Sequence, residues 1–74
     1  MIKVGIVSIL DIIDPYSDIE DYFLKGNELT IVAWYGDEKL AHRIDGDGVA
    51  EMYGKKFVRW CTDCNGAPDS IILQ

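Results

Sequence analysis

The chain lacks a long apolar run. Its longest, Val4 to Leu10, has seven residues and is interrupted by Gly5 and Ser8. A spanning helix needs about 20, and a secretory leader needs a longer apolar region with a small-residue cleavage site; here Asp11 and Asp14 follow instead. The expected location is therefore the cytoplasm, where thiols stay reduced. Basic residues are also scarce. Seven Lys and Arg face thirteen Asp and Glu, a formal charge of −6. Such a surface repels nucleic-acid phosphates, so nucleic acid is not an expected direct ligand; with no spanning run, neither is a membrane. It suits a basic partner, or it serves solubility alone. Repeats, linkers and low-complexity segments are absent.

Cysteine and histidine are equally sparse, with two Cys and one His. Both thiols fall in "RWCTDCNG", Arg59 to Gly66. A redox dithiol needs its first Cys at the start of a helix, which lowers the thiol pKa. Asn65, Gly66 and Pro68 break any helix there. A structural zinc site needs four ligands, and Cys61, Cys64 and His42 supply at most three. The expectation is reduced thiols at a strand end and turn, with no metal and no cofactor.

Other motifs fail in similar ways. "DGDG", Asp45 to Gly48, hints at a calcium loop, but the later ligand positions hold Val49, Ala50 and Lys56. Gly46 and Gly48 form no phosphate loop, because no Gly-Lys-Ser/Thr follows. Ser8, Ser17 and Ser70 have no nucleophile setting. His42 lies in a strand-like alternation as a half-buried residue. The chain is not expected to be an enzyme.

What is present is enough for one folded domain over residues 1–74. The apolar fraction is 49%, with eight aromatics (two Trp, four Tyr, two Phe). A domain this small buries about 60% of its unfolded surface and is stable by roughly 3–5 kcal/mol. Met1 to Leu10 reads as a buried first strand. Asp14 can cap a helix with Pro15 at its first position; Ser17 and Glu20 offer a capping box. Ile19, Tyr22 and Phe23 recur at helical spacing, and Lys25-Gly26 is a stop signal. Leu29 to Tyr35 and Leu40 to Ile44 form a hairpin around Gly36-Asp37-Glu38. Val49 to Tyr53 is a short helix capped by Asp47 and stopped by Gly54. Lys55 to Cys61 is a strand with Phe57 and Arg59 on one face, Val58 and Trp60 on the other. Asn65 to Asp69 is a loop, and Ser70 to Leu73 a last short strand. The expected class is α+β: a small mixed or antiparallel sheet of about four to five strands, one main helix and a short second helix. A small, strongly bent barrel is the alternative.

Trp34, Tyr35, Tyr53 and Trp60 are large residues for so small a core. Adjacent strand residues point to opposite faces, so Trp34 and Tyr35 cannot both face one core. Exposed aromatics anchor interfaces. The hairpin is therefore the expected partner surface: the outward member of Trp34 and Tyr35, with Asp37, Glu38, Lys39 and Arg43. Tyr53 and the short helix are the second candidate surface. Trp60 is assigned to the core.

Three stretches together carry a resemblance. The opening "MIKVGIVSILDIIDPYSDIEDYF", the middle "IVAWYGDEKLAHR" and the ending "KKFVRWCTDCNGAPDSII" resemble the small acidic RNA polymerase-binding transcription regulators of Xanthomonas phages. The resemblance spans the chain and rests on size, acidity and sequence character rather than on a diagnostic motif. It implies a protein of the bacterial host cytoplasm that binds host RNA polymerase at the β′ N-terminal region near the β flap; a monomer is expected. It also implies host takeover by σ displacement at initiation, and antitermination. No catalytic residue is implied. The rival expectations are an acidic inhibitor of another nucleic-acid-handling or defence complex, and a minimal dithiol or zinc protein using Cys61 and Cys64.

Overall fold

The computed structural model describes residues 1–13, 15 and 18–74. The first ten residues are not one strand. β1 covers Ile2–Gly5 and α1 covers Ile6–Ile13. Ile6, Ile9 and Leu10 are buried while Val7 and Ile12 face out. That is the i, i+3, i+4 stripe of a helix laid on a core. β-branched residues disfavour helix only slightly, and tertiary packing overrides them.

The expected main helix is a strand, β2, Asp18–Lys25. Its pairing with the next strand shifts register between Ile19 and Asp21. A bulge inserts one extra residue into a strand. Ile19 and Tyr22, three apart, therefore share the inward face and imitate helical spacing. The expected caps at Asp14 and Ser17 lie outside the described residues; Pro15 is in a turn.

The central hairpin forms as expected. β3, Glu28–Tyr35, pairs antiparallel with β4, Glu38–Asp45. β2 pairs with the other edge of β3. Gly26-Asn27 and Gly36-Asp37 make the two tight turns, with φ of +64° at Gly26 and +67° at Gly36. Glycine at the first turn position is what a two-residue hairpin of this kind needs.

α2 covers Gly46–Met52, earlier than expected, and its N-cap is Asp45 rather than Asp47. The Gly48 amide donates to Asp45 Oδ1 at 2.7 Å. Gly46 has no room for a side chain: a Cβ there would sit 2.5 Å from the Phe57 ring. β5, Phe57–Thr62, and β6, Pro68–Leu73, complete the chain. A register shift between Phe57 and Arg59 breaks the expected alternation. Phe57 and Trp60 both pack on the core, ring centroids 6.3 Å apart.

The class is α+β, with two three-stranded antiparallel sheets in place of one sheet, ordered β1-β6-β5 and β2-β3-β4. Ile9, Leu29, Ile31, Val49, Ile71 and Leu73 are fully buried where the sheets and helices meet. The Asn27 carbonyl joins the halves. It accepts the Gly46 amide at 2.9 Å and the Trp60 indole N–H at 3.0 Å. Among the described residues, no helix is long and apolar enough to cross a membrane.

Candidate functional site

The β2-β3-β4 sheet has one face on the core and one toward solvent. Leu29, Ile31 and Ala33 of β3 are buried on the inner face. Residues opposite one another in register share a face. The outer face is thus built of cross-strand rows: Asp18–Trp34–Lys39, Asp21–Val32–Ala41, Phe23–Thr30–Arg43 and Lys25–Glu28–Asp45. Trp34 is 37% exposed and Phe23 43%. Thr30, opposite Phe23 in register, is only 4% exposed.

Glu20, the residue at the bulge, organises this face. Its Oε1 accepts the Trp34 indole N–H at 3.3 Å. Its Oε2 accepts the Lys39 ammonium at 3.1 Å, an ion pair with both side chains about half exposed. The same ammonium lies 5.7 Å from the centroid of the Trp34 ring. The hydrogen bond from Lys39 lowers the Glu20 pKa below its ordinary value. The indole hydrogen bond and the Lys39 charge act in the same direction. The carboxylate thus stays charged to lower pH than a free one. Arg43 and Glu28 approach at 3.9 Å with both side chains open to water, a contact of little energetic weight.

The expected interface residues fall in three places. Trp34 and Lys39 come together on the outer face, and Arg43 shares that face two rows away, opposite Thr30. Tyr35 and Glu38 are opposite one another on the other face, where the Tyr35 hydroxyl hydrogen-bonds His42 Nε2 and the rings lie 5.5 Å apart. His42 is exposed, not half-buried. Asp37 occupies the turn at the tip. Tyr53 ends α2 and packs against the core with its hydroxyl buried, outside the cross-strand rows of the outer face.

Asp18, Glu20, Asp21 and Phe23 complete the face, and sequence reasoning assigned their segment to a helix. A signal for them existed. Gly26-Asn27 and Gly36-Asp37 are both hairpin dipeptides. The first implies a strand before it, ending near Lys25.

The thiols lie elsewhere. Cys61 is half-buried in β5, opposite Ser70, and Cys64 is exposed in the following turn. Asp63 shapes that turn. Its Oδ1 accepts the amides of Asn65 at 2.8 Å and Ala67 at 3.0 Å, and its own amide donates to the Ala67 carbonyl at 2.9 Å. "WCTDC" is therefore a strand end running into a hairpin turn. Among the described residues, no three His, Cys, Asp or Glu side chains cluster as metal ligands would. No protein-family model, curated protein or solved structure matches this chain.

Proposed function

We propose that this protein is a non-enzymatic regulator that binds bacterial RNA polymerase in the host cytoplasm. The sequence resemblance directs the reading to the β′ N-terminal region near the β flap, with σ displacement and suppressed termination as the consequences. The observation that carries a protein-binding role is the outer face of the β2-β3-β4 sheet. It presents an exposed Trp34 set among charged groups, the usual make-up of a binding hot spot. The acidic surface adds to this. An acidic ligand approaches the basic surface of a nucleic-acid enzyme at an enhanced rate.

The test is a binding titration against polymerase core enzyme, paired with thermal melts. Trp34→Ala, on the outer face, is expected to fold normally and to lose at least about tenfold in affinity. Tyr35→Ala, on the other face, is expected to bind nearly as wild type. Full affinity in a folded Trp34→Ala variant removes this face from the interaction. If wild type forms no complex with the enzyme, the polymerase reading falls, and a pull-down from host lysate tests the rival nucleic-acid or defence complex.

A further inference from the structure

Trp34 already holds a cation, and it comes from its own chain. The Lys39 ammonium lies 5.7 Å from the indole centroid and 3.1 Å from Glu20 Oε2. The indole N–H holds the other carboxylate oxygen at 3.3 Å. An aromatic ring beside an anchored carboxylate is a cradle for a cationic side chain. Lys39 does not balance the charge around it. Asp18 is opposite Trp34 in register, and Asp21 is opposite Val32 in the next row. Among the described residues, neither Asp has an ion-pair partner. Asp18, Glu20 and Asp21 thus share the face of one exposed ring, against which a single ammonium lies; Asp21 Oδ1 also accepts the Tyr22 amide at 2.8 Å. A guanidinium suits such a place better than an ammonium does. It is planar, stacks on an aromatic ring, is less strongly hydrated and can pair two carboxylate oxygens at once.

We propose that the partner presents an arginine side chain to the Trp34–Glu20 cradle, in competition with Lys39. This rests on the reading of the outer face as the partner surface and names the chemistry recognised there: a basic segment. Lys39 is then an internal competitor that fills the cradle until the partner arrives. Removing it should strengthen binding, whereas an ordinary interface lysine would weaken binding when removed.

The experiment follows the indole N–H signals of the ¹⁵N-labelled full chain. There are two, from Trp34 and Trp60, and Trp34→Phe identifies the first. The probe is acetyl-Arg-Gly-Arg-amide; the matching citrulline peptide is the uncharged control. The arginine peptide should move the Trp34 signal, and the citrulline peptide should not. Lys39→Gln should tighten binding about threefold, the scale of one exposed cation–π contact. Lys55→Gln removes the same charge from the segment after α2 and should fall well short of that gain. Glu20→Gln, with its fold checked by melting, should lose the response. An unchanged or weaker affinity in Lys39→Gln, an equal gain in Lys55→Gln, or an equal response to citrulline overturns the proposal. The same variants are then titrated against polymerase core enzyme. An arginine response without polymerase binding keeps the cradle and removes the polymerase reading. Polymerase binding with no gain in Lys39→Gln and no arginine response does the reverse.

Discussion

The two tryptophans do opposite work, and their indole N–H groups mark the difference. Trp34 donates to a surface carboxylate, Glu20 Oε1, and stays open to solvent. Trp60 donates to a backbone carbonyl, that of Asn27, and packs beside Phe57 on the core. A core position for Trp60 was legible in the sequence, but its partner was not. Plain alternation pairs it with Val58, whereas the bulge sets Phe57 on its face. Trp60→Ala should lose about 3 kcal/mol or more, most of what so small a domain has. Trp60→Phe keeps a ring in place and removes the donor, while Asn27 still receives the Gly46 amide. It should cost about 1 kcal/mol. Thermal or urea unfolding of both variants checks this ladder. A Trp60→Ala protein melting near wild type would mean that the indole supports nothing in the core.

A bulge misleads in different degrees: β5 was legible as a strand although its faces were not, whereas β2 was not legible as a strand at all. β3 is a β-branched and aromatic run, β4 alternates, and the two flank Gly36-Asp37, so the hairpin is readable directly. β2 carries a bulge, and the Ile19–Tyr22 spacing it creates is that of a helix face. α1 fails for a different reason. Five of its eight residues are β-branched, and the helical stripe shows in the burial of Ile6, Ile9 and Leu10. α2 was found but capped at the wrong Asp, because Asp45 and Asp47 are equally good caps in a sequence. The structure separates them through the Gly48 amide on Asp45 Oδ1. Asp45→Ala should therefore destabilise the protein by about 1 kcal/mol. Asp47→Ala removes only a charge in the first turn, a matter of about 0.3–1 kcal/mol at low salt. Urea unfolding in moderate salt should keep that order. If Asp47→Ala is the more costly change, the helix begins where the sequence suggested.

At the scale of the whole molecule, the division into two sheets was hidden because it depends on non-local pairing. β1 pairs with β6, Ile2 opposite Leu73, so the two ends of the chain make one ladder. No local pattern announces such a contact. It leaves β2-β3-β4 as a separate sheet, and the acidic strand of its outer face is β2. The formal charge of −6 includes three carboxylates of β2 near this face. Asp18, Glu20 and Asp21 concentrate part of it beside Trp34. Charges at the rim of an interface act mainly on the rate of encounter. Glu20 is tied into the Trp34–Lys39 contact, so the clean test uses the other two. Asp18→Lys combined with Asp21→Lys should slow association with polymerase core enzyme and leave dissociation nearly unchanged. The difference from wild type should be largest at low ionic strength. It should shrink toward 0.15 M salt, where the screening length falls to about 8 Å. Stopped-flow association at two ionic strengths, with dissociation followed by dilution, reads both rates. A salt-independent loss confined to dissociation would place Asp18 and Asp21 inside a desolvated contact instead of at its rim.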